Sequence, residues 1–198
     1  VTRKETWIPF YAILIFYILR NYRCKALPVL FFLAVTILLS DQLSGLMKDT
    51  FQRFRPVHDP EIGPLVHNVL RKGSLYGFVS SHAANSFAIF VFTSRLFKNK
   101  GYTLLILFWA IWFSYSRIYS GVHYPLDILG GAVLGGLVGY LCYKMLMAFK
   151  DHFFVSRLSG IQDVKLTAEQ TRIVFLVFVV LVTTVFIVSG ILHHYQYL

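Results

Sequence analysis

Apolar residues in this chain fall into six long runs that short polar segments separate. The runs cover residues 7–19, 26–47, 82–97, 102–118, 126–149 and 173–193. A helix needs about 20 predominantly apolar residues to cross a bilayer, and the second, fifth and sixth runs meet that length comfortably. The first run is shorter and contains Pro9, and the third begins with polar residues. The pattern predicts an all-α integral membrane bundle with about six transmembrane helices.

Composition favours the same fold class. The chain has 198 residues, of which 57% are hydrophobic and 14% charged, whereas a soluble domain is usually about half apolar and about a quarter charged. The formal net charge of +10 does not indicate a nucleic-acid partner, because the basic residues lie between the apolar runs rather than in one block. Cys24 and Cys142 lie far apart and outside any zinc-ligand spacing, so we expect no disulfide and no structural zinc.

Basic residues in the polar segments indicate how the bundle crosses the membrane. With six alternating spans, one side receives eleven Lys and Arg residues and the other eight. Cytoplasmic loops carry the excess of these residues, so the segments 48–81 and 116–127 are expected on the opposite face. Residues 1–149 form the predicted membrane core, and residues 150–198 a cytoplasmic linker plus an extra C-terminal transmembrane helix.

The fifth run carries Gly131, Gly135 and Gly139 at four-residue spacing. Small residues at that spacing lie on one helix face and let two helix backbones approach closely in lipid. We interpret them as a packing face that fixes the position of the polar stretch at which this helix begins.

Three polar clusters fall on the predicted outer face. They are KDTFQRFRP at 48–56, VSSHAANS at 79–86 and SRIYSGVHYPLD at 116–127. Each cation alone is usually a solvated or snorkelling residue, but three cations beside small hydroxyls predict a pocket for an oxyanion with more than one negative charge. No carboxylate and histidine occur together at zinc-ligand spacing, so we expect no metal in this pocket.

In combination the clusters resemble the signature of the type 2 phosphatidic acid phosphatase family, which also includes vanadium haloperoxidases. That signature is Lys, six residues, Arg-Pro; then Pro-Ser-Gly-His; then Ser-Arg, five residues, His, three residues, Asp. The matching residues here are Lys48, Arg55, Pro56, Ser80, His82, Ser116, Arg117, His123 and Asp127. Val79 and Ser81 depart from the signature Pro and Gly. The resemblance covers about residues 26–145, so the last apolar run lies outside it.

The resemblance implies a two-step phosphoryl transfer without metal or other cofactor. His123 would attack phosphorus and form a phosphohistidine, and Asp127 would hold its imidazole in the required tautomer. His82 would protonate the leaving oxygen and then activate water.

The remaining signature residues imply a phosphate-binding role. Lys48, Arg55 and Arg117 would neutralise the charge on the phosphoryl oxygens. Ser80 and the backbone around Ser81 would add hydrogen bonds to the same oxygens.

The resemblance therefore implies a membrane-embedded lipid phosphatase, with a lipid phosphate as substrate and membrane lipids as surroundings. We expect it in a bacterial-type inner membrane with the active site facing the periplasm or outside. Undecaprenyl diphosphate is slightly favoured as substrate, and lipid A and phosphatidylglycerophosphate are the alternatives. A haloperoxidase-like enzyme or a non-enzymatic membrane protein are the hypotheses outside this class.

Two further expectations concern residues near the clusters. Asp41 precedes Lys48 by seven residues, or two helical turns, and so shares its helix face. We expect Asp41 to face the bundle interior with a hydrogen-bonding partner on a neighbouring helix. Residues 57–75 join the first two clusters and are expected beside the pocket mouth, where Arg71 and Lys72 could pair with a second phosphate or an anionic sugar.

Overall fold

The computed structural model describes residues 4–67, 73–153 and 165–196, and this part of the chain contains six α-helices and no β-strand. The helices are α1 (Ile8–Tyr22), α2 (Ala26–Phe51), α3 (Ser81–Phe97), α4 (Lys100–Tyr119), α5 (Pro125–Phe153) and α6 (Ala168–Gln196). Each of the six apolar runs falls almost entirely within one helix. The predicted all-α class is therefore confirmed.

Helices α2, α5 and α6 are long and apolar enough to cross a membrane, and they are the three that the run lengths single out. Large apolar side chains on these helices face outward, including Phe31, Leu137 and Phe186. A soluble protein rarely exposes so much contiguous apolar surface. The chain is therefore a membrane helical bundle.

Helices α3 and α5 form the most extensive contact of the bundle. Gly131, Gly135 and Gly139 of α5 lie against the α3 backbone, where a Cβ on any of them would overlap a carbonyl oxygen. The partners of the last two are the carbonyls of Ala84 and Ala88. The predicted small-residue packing face is confirmed, and it brings the first turns of α3 and α5 together.

Adding one methyl group at Gly135 is expected to destabilise the bundle. The new Cβ would overlap the Ala84 backbone, which cannot move without separating α3 from α5, and overpacking of this kind costs about 1–3 kcal/mol. Thermal unfolding of the purified chain in detergent measures the effect of Gly135→Ala. Gly136→Ala is the matched control, because the nearest atom to its Cβ is a Val91 methyl at 3.9 Å. Equal melting temperatures for the two variants would contradict this packing.

An aromatic core joins α6 to the rest of the bundle. Phe178 of α6 packs on Phe10 of α1 with ring centroids 5.8 Å apart, and on Phe108 of α4 at 6.1 Å. The C-terminal helix is thus packed against α1 and α4. The predicted linker begins at residue 150, but α5 continues to Phe153 and α6 begins at Ala168. Residues 154–164 lie outside the described residues, so the division at residue 149 stays a prediction. Cys142 is buried and not disulfide-bonded, and the Cys24 side chain lies outside the described set.

Candidate active site

A polar cavity of about 330 Å³ lies at one end of the bundle, where α2 and α4 end and α3 and α5 begin. The described residues that line it are Asp41, Lys48, Arg55, Gly73, Ser74, Ser81, His82, Asn85, Arg117 and His123. Six of the eight predicted site residues are in this set. The other two, Ser80 and Asp127, are fully buried and do not line the cavity. The three polar clusters therefore converge in one place.

Lys48 and Ser81 join α2 to the first turn of α3. The Lys48 ammonium donates to the Ser81 hydroxyl at 2.6 Å and to the Ser44 carbonyl at 3.0 Å. The hydroxyls of Ser44 and Ser81 are 2.6 Å apart. Ser81 occupies the place where the family signature has Gly, so in this chain that position contributes a hydroxyl that holds the lysine at the cavity.

A folded-back segment after α2 positions Arg55. Gln52, in the left-handed conformation at φ 46°, ends the helix. The chain then runs extended, so that Phe54 pairs with Tyr76 and the Arg55 amide donates to the Leu75 carbonyl at 3.1 Å. This pairing brings the two ends of the long outer loop together at the cavity.

The Arg55 guanidinium is buried, and its two terminal nitrogens make hydrogen bonds within the site. It donates to the Val122 carbonyl at 3.2 Å and the Ser74 hydroxyl at 3.1 Å. Its Nη1 also lies 3.0 Å from Nε2 of His123. Burial lowers the pKa of Arg55, and the Asp127 carboxylate opposes that shift.

The contacts of His123 determine which ring nitrogen carries its proton. A guanidinium can only donate, so Nε2 of His123 accepts from Arg55 and the proton lies on Nδ1. Nδ1 is 3.3 Å from Oδ2 of Asp127 and donates to it. Burial lowers the pKa of His123 to about 4, with the Asp127 hydrogen bond opposing the shift and the Arg55 charge adding to it. At neutral pH His123 is therefore a neutral imidazole with its lone pair on Nε2.

The Asp127 carboxylate is fully buried and has three donors. Oδ2 accepts from His123 and from the Tyr124 amide at 2.9 Å, and Oδ1 accepts from Arg53 at 3.2 Å. The Arg53 guanidinium also lies over the Tyr124 ring, 4.4 Å from its centroid. Arg53 supplies the positive charge that a buried carboxylate needs.

Sequence reasoning counted Arg53 only among the loop cations and missed this contact. One signal was available, because Arg53 lies two residues before Arg55 on an extended segment and alternate residues of such a segment point to the same side. Gly77 was also missed. A Cβ there would lie 3.1 Å from Arg55 Cγ and 3.2 Å from Asp127 Oδ2, so a side chain at this position would require Arg55 or Asp127 to shift by a few tenths of an ångström.

The remaining predicted residues lie in the first turn of α3 and the last turn of α4. His82 is half-buried at the cavity, with its ring 5.5 Å from that of Phe113. Arg117 is also half-buried there. Ser80 differs, because it is fully buried and its hydroxyl caps α3 by accepting the Ala83 amide. Its own amide donates to the Asp127 carbonyl at 3.0 Å, so Ser80 ties α3 to α5.

Two expectations about the surroundings have different outcomes. Asp41 lines the cavity, and its Oδ1 accepts from the Asn85 side chain on α3 at 3.2 Å, so the predicted partner on a neighbouring helix is confirmed. Asp41 is nevertheless exposed and is not enclosed in the bundle interior. The outer loop reaches the cavity at Ser74. Arg71 and Lys72 lie outside the described residues, so their contribution stays a prediction.

The amino-acid sequence of this chain is similar to those of several membrane phosphatases. A family model described as the PAP2 superfamily matches residues 25–151. The lipid A 4'-phosphatase of Bacteroides thetaiotaomicron is 38% identical over 80% of this chain and 70% of its own length. That of Porphyromonas gingivalis is 37% identical over 73% of this chain and 63% of its own length. The undecaprenyl-diphosphatase BcrC of Bacillus subtilis is 28% identical over 43% of each chain. No solved structure matches.

Proposed function

The chain belongs to the PAP2 superfamily, the type 2 phosphatidic acid phosphatases whose signature it carries, and on this premise we propose that it removes phosphate from an acylated sugar lipid of the lipid A type. The observation that carries the proposal is the cavity in which three cations, Lys48, Arg55 and Arg117, line the walls beside the His123 imidazole. A phosphoric ester hydrolase acting on membrane lipids is the function class that this family supports.

Lipid A is now the favoured substrate, in place of undecaprenyl diphosphate, which the sequence alone slightly favoured. The two lipid A 4'-phosphatases named above are 38% and 37% identical to this chain over 80% and 73% of its length. The undecaprenyl-diphosphatase of Bacillus subtilis is similar over 43% of the chain. The relatives therefore favour what the sequence reasoning held as its alternative.

In the first step, Nε2 of His123 would attack phosphorus while the bond from phosphorus to the sugar oxygen breaks. His82 would give its proton to that oxygen, which leaves as a hydroxyl group. Asp127 would stabilise the positive charge that develops on His123 through Nδ1. The product on the enzyme is a phosphohistidine.

Arg55 would control when the nucleophile becomes available. In the unliganded chain its Nη1 donates to the lone pair of His123 at 3.0 Å. Charged phosphate oxygens accept hydrogen bonds more strongly than a neutral imidazole, so a bound phosphate would draw the guanidinium away. The freed lone pair then faces phosphorus, and Lys48 and Arg117 complete the charge neutralisation.

In the second step, His82 would take a proton from water, and the water oxygen would attack the phosphohistidine. The bond from phosphorus to nitrogen breaks, inorganic phosphate leaves and His123 returns to its neutral form. Ser81 would keep the Lys48 ammonium at the cavity, and Ser80 would act indirectly, by holding the start of α3 against α5.

We further propose that the site faces the periplasm or outside of an inner membrane, with residues 150–198 providing the cytoplasmic linker and the extra helix. The excess of Lys and Arg on the other side supports this orientation. A cysteine introduced at exposed Leu65 should react with a membrane-impermeant thiol reagent added to spheroplasts. If the cysteine is labelled only after lysis, the site faces the cytoplasm and the proposed orientation is wrong.

A substrate panel tests the proposed function. Purified chain in detergent is assayed for phosphate release from lipid A, undecaprenyl diphosphate, phosphatidylglycerophosphate and phosphatidic acid. We expect kcat/KM for lipid A to exceed the others by about tenfold or more. Activity should survive excess EDTA, because Lys48, Arg55 and Arg117 supply the neutralising charge.

A His123→Asn preparation serves as the blank in this panel. Faster cleavage of undecaprenyl diphosphate than of lipid A would overturn the substrate assignment. Loss of activity in EDTA with recovery in Mg²⁺ would overturn the metal-independent mechanism.

A further inference from the structure

An apolar groove of about 230 Å³ adjoins the polar cavity. Its described lining comes from α1 to α4 and contains no Lys, Arg, Asp or Glu. The residues are Tyr11, Leu14, Ile15, Leu33, Ile37, His82, Asn85, Ser86, Ile89, Thr93, Trp109 and Phe113. His82 and Asn85 line both spaces, so the groove and the cavity meet at these two residues.

Along one face of α2, the side chains change from apolar at the groove to charged at the cavity. Leu33 and Ile37 line the groove, Asp41 comes one turn later, and Lys48 lies two turns beyond at the phosphate end. At 1.5 Å per residue, Asp41 and Lys48 are separated by about 10 Å along the helix axis. That separation leaves room for one ring between a phosphate at Lys48 and an acyl chain in the groove.

The facing side of α3 has the same order of polarity. His82 and Asn85 lie near the cavity, and Ile89 lies in the groove. The Asn85 amide donates to Asp41 at 3.2 Å and so joins the two helices at the level between phosphate and acyl chain. A carboxylate and an amide therefore stand where the leaving group of a lipid phosphate would lie.

We propose that Asp41 and Asn85 form a recognition site for a hydroxyl-bearing ring, that is, the sugar to which the phosphate is esterified. This inference rests on the proposed function and names the part of the substrate that the site selects. A sugar hydroxyl can donate to the Asp41 carboxylate and accept from the Asn85 amide. The leaving group of a diphosphate is a phosphate, which carries negative charge and would be repelled by the same carboxylate. The pair therefore selects a sugar monoester over a lipid diphosphate.

Replacing Asp41 with asparagine tests the proposal, because it removes the charge and keeps the shape. We expect kcat/KM for lipid A to fall about tenfold or more, the value of a hydrogen bond to a charged group. Turnover of undecaprenyl diphosphate should stay constant or rise. Glu61→Gln is the control, since Glu61 is an exposed carboxylate that does not line the cavity. It should leave both activities unchanged.

Asn85→Ala provides a second variant from the other wall and should show the same selective loss, even if Asp41→Asn does not fold. Equal losses on all substrates, or an undiminished rate on lipid A, would overturn the recognition site. If the wild-type chain itself leaves lipid A intact, the proposed function fails and the inference fails with it. If the wild type cleaves lipid A and both variants do so at full rate, only the inference fails.

Discussion

Phosphate release is expected to fall by about 10⁴-fold or more when His123 is replaced by asparagine, a loss of the size seen when an enzyme's nucleophile is removed. Asparagine is small enough for the buried site and can still accept from Arg55, but it has no nucleophilic nitrogen. The lone pair on Nε2 is the property that is lost. Initial rates of phosphate release from lipid A in detergent measure the effect.

A rapid-quench experiment separates the loss of the nucleophile from a loss of structure. With substrate labelled in the phosphate, the wild-type chain should carry an acid-labile label on histidine, and His123→Asn should carry none. His67→Asn is the control, because His67 is exposed and does not line the cavity. Activity of His123→Asn within tenfold of wild type would remove His123 from the proposed role.

Asp127→Asn is expected to reduce phosphate release by about 10³–10⁴-fold, the size of effect that loss of an orienting carboxylate has in catalytic triads. An asparagine amide can present its N–H to Nδ1 of His123, which would move the imidazole proton to Nε2 and block the attacking nitrogen. In that orientation the amide oxygen still accepts from Arg53, but the negative charge is lost and the Tyr124 N–H no longer has an acceptor. Rates of phosphate release, together with melting temperatures, distinguish loss of catalysis from loss of folding.

Two companion variants make this test specific. Arg53→Met removes the contact to Oδ1 of Asp127 but leaves the contact between Oδ2 and His123, so a smaller loss of about tenfold is expected. Glu61→Gln changes an exposed carboxylate on the same loop and should have no effect. If Asp127→Asn retained activity within tenfold of wild type, the tautomer of His123 would have to be maintained by Arg55 alone.

The helices could be predicted from the sequence because a lipid environment restricts the secondary structure that the backbone can adopt. A segment inside a bilayer has no water to bind its amides, so a long apolar run must satisfy them internally as a helix. The runs at 26–47 and 126–149 needed no tertiary information for this reason. The glycine spacing on α5 likewise predicted a close helix contact, although it did not indicate that α3 is the partner.

The signature residues could also be placed in one site from the sequence, because their order and spacing are specific and the spans alternate in direction. Six of the eight predicted site residues line a single cavity. Ser80 departs from this expectation. Ser80 is the N-cap of α3, and its hydroxyl accepts a backbone amide of that helix. Serine is commonly found at this position for that reason.

The sequence by itself determined the fold class, the family and the cations and histidines that line the cavity, since each depends on local patterns and short spacings. Only the tertiary structure decided which distant residues complete the site. Arg53 and Asp127 are 74 positions apart, and Asp41 and Asn85 are 44 apart. Such pairs form because a loop folds back across the ends of α2 and α5, and because α2 packs beside α3. No pattern within a single segment encodes those contacts, since the packing of the whole bundle fixes the distances between its helix ends.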